Sequence, residues 1–351
     1  MAKSILKRLK KEPAPLIDGS VVTFIWQGKS APGLVGDFTG WDEGQPVQLV
    51  QTEPEVWTYQ LNLAADAYIE YSYKQGEENL SDPFNPRVSP NGSGGYNHYF
   101  EMPEHHPTEL TEKKRKVPHG IVSRHVVPTD YSVFGTQRAV YLYQPPVKEP
   151  VPLLVVWDGQ DYFNRVQLNI MVDNLIAERR IQPLAMALVK NGGSVVRAIE
   201  YSCNDSTLLF LMNNVLPLAI ENLNLVDIKS LPGAYCVAGA SMGGLMALYS
   251  GARLPQIFGK VLSQSGAFAV GGMDMVVFDL LKSVQPRNIK TWIDVGLYDL
   301  PSLLSCNRRM KNVLGNLGYP LQYSEYHAGH NYPAWRDDIW HGLEWLFGYN
   351  A

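Results

Sequence analysis

The chain changes rhythm near residue 102. Before it, short runs of apolar and β-favouring residues at 20–26, 33–35, 47–49, 56–61 and 68–74 are set apart by Gly, Pro, Asn and Asp. Such spacing predicts strands joined by tight turns, the pattern of a small all-β sandwich. Val56-Trp57-Thr58-Tyr59-Gln60-Leu61-Asn62-Leu63 alternates as a half-buried strand does. Residues 102–118 are polar and proline-bearing, carry His105 and His106 and the run Lys113-Lys114-Arg115-Lys116, and read as a linker. The two histidines are adjacent, and neighbours on an extended chain point apart, so they read as solvated side chains rather than a ligand pair. From residue 119 the apolar runs change character. Residues 121–127 and 138–143 predict an antiparallel pair, while 152–157, 185–189, 234–238, 260–263 and 291–295 read as fully buried strands. Helical segments, notably 168–179 and 208–223, lie between them, and this alternation implies a mainly parallel sheet covered on both faces. The expected division is a β-sandwich domain over 1–103, a linker over 104–118 and an α/β domain over 119–351.

Composition narrows the classes without naming one. A chain of 351 residues has ample length for a large core and suggests about two domains. A formal net charge of −4 argues against a general binder of nucleic acid. The start is basic (Lys3, Lys7, Arg8, Lys10, Lys11), but no apolar stretch of signal-peptide length follows, and no run approaches the ~20 residues of a membrane span. The expectation is a cytoplasmic protein without membrane or nucleic-acid partners. Cys203, Cys236 and Cys306 are odd in number and widely spaced, which fits neither a disulfide framework nor a zinc site.

Candidate chemistry centres on Gly239-Ala240-Ser241-Met242-Gly243. An apolar strand runs into this Gly-x-Ser-x-Gly turn, and the helix-compatible Leu245-Met246-Ala247-Leu248-Tyr249 follows at once. In α/β-hydrolases such a turn lifts a serine hydroxyl above the sheet as a nucleophile; a glycine-rich turn whose serine caps the helix is the plainer alternative. Serine needs a base, and in the hydrolase order an acid and then a histidine follow it. His330 lies in a loop just past the strand-like 321–326, where it could reach back over the sheet. His327, late in that strand, is its rival, and His341 falls in an amphipathic terminal helix. For the acid, Asp299 beyond the end of 291–295 is favoured over Asp294 within the strand, with Asp337 and Asp338 as fallbacks. The oxyanion needs two donors: the N–H of Met242 and, from the turn after the first long apolar strand, that of Gln160.

Several stretches together resemble the putative-esterase family, the esterase D-like α/β-hydrolases. These are Asp158-Gly159, Arg197-Ala198-Ile199-Glu200-Tyr201-Ser202-Cys203-Asn204 with Phe210, the Ser241 turn, Val261-Leu262-Ser263-Gln264-Ser265-Gly266, Gly296-Leu297-Tyr298-Asp299, Gly329-His330 and Trp335-Arg336. That family holds enterochelin, feruloyl and acetyl-xylan esterases, S-formylglutathione hydrolases and mycolyltransferases, and the likeness is strongest to the enterochelin type. Gly36-Asp37-Phe38-Thr39-Gly40-Trp41-Asp42 and Asp82-Pro83-Phe84-Asn85-Pro86 are similar to the sandwich domain of those esterases and to glycogen-binding modules. The resemblance implies an α/β-hydrolase domain preceded by an immunoglobulin-like (E-set) sandwich. It implies a serine esterase needing no metal or organic cofactor, whose substrate is a small-molecule ester such as a ferric siderophore, with Arg197, Trp335 and Arg336 as substrate contacts. Asp299 stands where enterochelin esterases tend to have Glu, and Ala328-Gly329-His330-Asn331 replaces a more usual Gly-Gly-His-Asp. The alternative within the family is a carbohydrate esterase whose sandwich binds sugar through Trp26, Trp41 or Trp57; outside catalysis, it is a binding module on a hydrolase frame.

Overall fold

The computed structural model describes residues 2–92, 94–283 and 288–349. Two compact units emerge. The first joins Met1–Pro107 with the short segments Gly296–Pro301 and Glu325–Ala334, and the second holds Thr108–Val295, Ser302–Ser324 and Trp335–Ala351. The first unit therefore takes in two loops from the part of the sequence expected to belong wholly to the α/β domain.

Strands of the first unit are β1 (Leu16–Asp18), β2 (Val21–Gln27), β3 (Gly33–Gly36), β4 (Val47–Gln48), β5 (Val50–Glu53), β6 (Val56–Asn62), β7 (Tyr68–Gln75), β8 (Glu78–Leu80), β9 (Val88–Pro90) and β10 (Tyr96–Glu101). They form two antiparallel sheets, β1-β2-β6-β5 and β4-β3-β7-β10-β9, with β8 paired to β7. Val22 and Phe24 of β2 meet Leu34 of β3, Ile69, Tyr71 and Tyr73 of β7 and Phe100 of β10 in one buried cluster. Phe24 packs edge-on against Tyr71 and Phe100 at 5.0 and 5.7 Å between ring centres, the geometry that ring quadrupoles favour. Trp26 and Trp57 pack against this same core, and their indole N–H groups donate to the carbonyls of Ser30 and Gly28. The opposite face of β7, carrying Glu70 and Ser72, is buried as well.

In the second unit the strands are β11 (Ile121–Pro128), β12 (Gln137–Gln144), β13 (Leu153–Trp157), β14 (Ala185–Val189), β15 (Tyr235–Ala240), β16 (Phe258–Gln264), the small hairpin β17 (Ala269–Val270) and β18 (Met273–Asp274), β19 (Lys290–Gly296) and β20 (Leu321–Tyr326). The main sheet has the order β11-β12-β14-β13-β15-β16-β19-β20. β11, β12 and β14 pair antiparallel, and the run β14-β13-β15-β16-β19 is parallel, so the sheet is mixed. The helices are α1 (Ala2–Arg8) ahead of the first sheets, then α2 (Gly159–Asn164), α3 (Leu168–Ala177), α4 (Ser194–Glu200), α5 (Asp205–Phe210), α6 (Leu216–Asn222), α7 (Met242–Arg253), α8 (Val277–Ser283), α9 (Pro301–Asn316) and α10 (Tyr332–Phe347). The helix expected over 208–223 is realised as α5 and α6 joined through a π turn at Leu211–Val215. No helix among the described residues is long and apolar enough to cross a membrane.

Within the stretch read as a linker, residues 108–112 have partners in the second unit. Leu110 is buried, Asn174 donates to the carbonyls of Leu110 and Glu112, and Asp337 accepts from the Thr108 N–H. Polar composition suggested solvation, but here the backbone polar groups find side-chain partners instead.

One buried ion pair braces the antiparallel edge of the sheet. Arg138 on β12 meets Glu200 at the end of α4 through two bonds of 2.8 Å, and Glu200 also accepts from the Phe134 N–H. Both side chains are almost wholly buried. Removing one partner strands the other charge, so Glu200→Gln should lower stability by about 3–5 kcal/mol in urea unfolding.

Candidate active site

The turn between β15 and α7 is built around contact between the strand end and the first helical turn. A Cβ on Gly239 would lie 2.5 Å from the Gly243 carbonyl group, one on Gly243 2.9 Å from Asp158 Oδ2, and one on Gly244 2.6 Å from Ser263 Oγ. At Gly239 the neighbour is backbone, so space alone requires glycine there; at Gly243 and Gly244 a side chain would have to displace Asp158 or Ser263. Ser241 sits between them at φ 58°, ψ −123°, a conformation that costs an L-residue on the order of 1–3 kcal/mol. Its backbone is pinned on both sides: the N–H donates to Gln264 O at 2.8 Å and the carbonyl accepts from Ala267 N–H at 3.0 Å. Met242 is the first residue of α7, where backbone N–H groups have no acceptor within the helix.

The turn after β13 is tied to this elbow. Asp158, fully buried at φ 55°, accepts from Arg197 Nε and Nη2, both at 2.7 Å, and from Asn191 Nδ2 at 2.7 Å. The same Arg197 Nη2 donates to Ala240 O at 3.1 Å, next to the nucleophile candidate. Arg197 thus bridges the two turns, and its carboxylate partner is Asp158, while Glu200 belongs to Arg138. Gly159 has no room for a side chain, since a Cβ would fall 2.2 Å from the Leu188 carbonyl carbon. Gln160 lies in the first turn of α2, with its side chain held between Asn191 N–H at 3.1 Å and Asp161 at 2.9 Å.

Asp299 and His330 are brought together within the first unit. His330 Nδ1 lies 2.9 Å from Asp299 Oδ1, which also accepts from the Leu300 N–H at 2.7 Å. Asp299 is 3% exposed. A buried carboxylate can only accept, so it fixes the proton on Nδ1 and leaves the Nε2 lone pair for chemistry. The rival histidine is engaged elsewhere: His327 Nδ1 is 2.7 Å from the half-exposed Asp66. His341 lies on α10 against Asp338.

Two other expected contacts have internal partners. Trp335 is buried and donates from Nε1 to Ser265 Oγ at 3.1 Å, and its carbonyl accepts from Gln264 Nε2. Arg336 makes paired bonds of 2.9 and 2.8 Å to Asp337. Residues that the sequence reading passed over are the braces: Asn191, which holds both Asp158 and Gln160, and Gln264, whose carbonyl pins Ser241. The only signal for Asn191 was its place in an Asn-Gly-Gly turn after an apolar strand.

The comparisons with known proteins bear on this arrangement. The model of the family described as "Putative esterase" matches residues 132–346. The chain belongs to that family. As a member it is similar to the iron(III) enterobactin esterase of Dickeya dadantii, 27% identical over 227 residues that make up 60% of this chain and 52% of that one. It is also similar to the iron(III) enterobactin esterase of Escherichia coli K12, 26% identical over 56% of this chain and 49% of the other. The match therefore spans about half the length of these curated relatives. The solved ferric enterobactin esterase of Salmonella typhimurium shares the fold across 98% of both chains, with a TM-score of 0.78 at 20% identity. An esterase family member with a mixed central sheet and a β-rich N-terminal region is thus what sequence and fold agree on.

Asp294, the second acid considered from sequence, is buried in β19 and accepts from Trp292 Nε1 at 2.8 Å and Gln264 Nε2 at 3.2 Å. Burial, reinforced by the neighbouring Asp338 carboxylate, pushes its carboxyl well above the ordinary range. The folded state then keeps a proton that the unfolded chain releases near pH 4. Its contribution to stability is full below that pH and is lost as pH rises toward the folded value. Urea midpoints compared at pH 4.5 and pH 7.5 should show this loss in the wild type, and Asp294→Asn, which cannot ionise, should reduce it.

Proposed function

We propose that the protein is a serine esterase working through an acyl-enzyme, with a siderophore ester of the enterochelin type as substrate. The observation that carries the reading is the strained backbone of Ser241, at φ 58° between β15 and α7. A rigid, glycine-enclosed turn that holds a serine in a costly conformation is a recurrent device for presenting a nucleophile. In this reading His330 Nε2 takes the Ser241 hydroxyl proton as Oγ attacks the ester carbonyl. Asp299 stabilises the imidazolium that forms, and the N–H groups of Met242 and Gln160 receive the oxyanion. Collapse of the tetrahedral intermediate expels the alcohol, which takes the proton back from His330. Water, deprotonated by His330, then attacks the acyl-enzyme; collapse of the second tetrahedral intermediate breaks the Ser241 Oγ–acyl bond, His330 returns the proton to Oγ, and the acid is released, so protons and bonds balance without an added cofactor.

Substrate class is carried by likeness to iron(III) enterobactin esterases. In our reading the two sheets of the first unit are the immunoglobulin-like (E-set) sandwich of that type, and the enzyme hydrolyses the siderophore in the cytoplasm to release its iron. Arg197 acts indirectly, by holding Asp158 and Ala240 in place. The carbohydrate alternative draws no support from Trp26 and Trp57, whose rings pack against the core of the first unit.

Ser241→Ala should lower turnover of a p-nitrophenyl ester by at least about 10⁴-fold while leaving the circular dichroism and melting temperature intact. Near-normal turnover in the folded variant would sink the mechanism. For the substrate, kcat/KM should favour ferric enterobactin over feruloylated xylo-oligosaccharide by more than about 100-fold, some 2.7 kcal/mol of transition-state binding. The reverse order would move the protein to the carbohydrate esterases.

A further inference from the structure

Within the first unit, the loops that carry Asp299 and His330 are fastened to the N-terminal sheets. Tyr68 at the start of β7 donates its N–H to His327 O at 3.0 Å and bridges Ala328 as a parallel strand would. On its other side the same segment accepts from Tyr298 N–H through Ala328 O at 3.1 Å. Tyr298 itself packs against the core around Phe24 and Tyr71. Beneath lies the turn Gly36-Asp37-Phe38-Thr39-Gly40-Trp41, a motif that the esterase mechanism leaves unused.

That turn is shaped to receive both loops. Gly40, at φ +70°, faces the ring of Pro301, and a Cβ there would fall 2.6 Å from Pro301 Cδ. Gly329, next to His330, faces Asp37: a Cβ would lie 2.0 Å from the Asp37 carboxyl carbon. The φ of Gly329 is not in the left-handed region, so contact with Asp37 alone accounts for glycine there. Asp37 is held at both oxygens. Oδ1 accepts from Trp41 Nε1 at 2.8 Å, and Oδ2 accepts from Glu70 N–H at 2.7 Å, continuing by side chain the β3–β7 ladder that ends at Gly36 and Tyr71. It is 4% exposed. Burial and the adjacent Glu70 carboxylate push its carboxyl well above the ordinary range, with Asp299 adding to the effect.

We propose that Asp37 is a positioning residue for the catalytic base: fixed by Trp41 and the Glu70 N–H, its carboxyl is the surface on which Gly329 rests, and so sets where His330 stands. The inference rests on His330 being the base of the proposed esterase. Misplacing a catalytic group by about 1 Å can cost on the order of 100-fold in rate.

The test compares Asp37→Ala, Asp37→Asn and Gly329→Ala in the full chain, with p-nitrophenyl butyrate as the probe. Asp37→Ala and Gly329→Ala are expected to lower kcat by about 10- to 100-fold with KM changed less than about twofold, because placement of the base and not ground-state binding is lost. Amide hydrogen exchange across residues 325–334 should rise at least about tenfold in Asp37→Ala. Asp37→Asn keeps the size and so the surface under Gly329, but has one acceptor oxygen and gives up one of the bonds from Trp41 Nε1 and the Glu70 N–H; if packing is the means, it should still retain kcat within about fivefold. Unchanged exchange in Asp37→Ala would overturn the proposal, as would raised exchange with kcat intact, which marks a purely structural contact. Impairment of Asp37→Asn equal to that of Asp37→Ala would equally overturn packing as the means. His330→Ala separates the two readings: full activity in that variant would remove the base assignment itself, whatever exchange reports for Asp37.

Discussion

The touching of Gly239 and Gly243 is the constraint on which the rest of the candidate site depends. A side chain at residue 239 would fall on the Gly243 carbonyl group, so glycine there lets the end of β15 and the first turn of α7 come this close, with Ser241 between them at φ 58°. A strained residue persists when its surroundings over-determine it. Here they do so through Gln264 and Ala267 on one side and the Arg197 bridge from Asp158 to Ala240 on the other. Arg197, which reads from sequence as a substrate contact, takes part in that bracing. A guanidinium that satisfies a wholly buried carboxylate and a carbonyl at once holds two turns in register.

The pair of Asp299 and His330 follows a different logic. Their loops extend beyond β19 and β20 and cluster with the N-terminal sheets, where β7 adds a backbone bond and the turn at Asp37 adds a floor. This accounts for the burial of both faces of β7, with Tyr71 and Tyr73 toward one core and Glu70 on the side of Asp37 and Asn97. The N-terminal region is therefore part of what holds the acid and the histidine. Its motif resembling that of carbohydrate-binding modules is occupied internally, since Trp41 donates to Asp37.

Much of the frame was legible in the chain. Continuous apolar runs marked β13 to β16 and β19 because a parallel strand is buried on both faces and leaves no polar alternation. Alternation marked β6 because one of its faces is covered less fully. Short strands such as β8 and β9 escaped notice, since three residues carry no period. In the segment after residue 102 composition reported polarity and not the partners of Thr108 and Leu110, which Asp337 and Asn174 supply from far along the chain.

By itself the sequence determined the buried strands of the second unit and the glycine-bounded turn at Ser241, because each is written in local spacing and apolar runs. Tertiary structure decided which charged group answers which. Arg197 turned to Asp158 and Glu200 to Arg138, His327 to Asp66 and His330 to Asp299. It also decided that loops from the second half of the chain lie against the turn at Asp37. Pairing of this kind depends on burial and on distances across the fold, which residues tens to hundreds of positions apart do not encode locally.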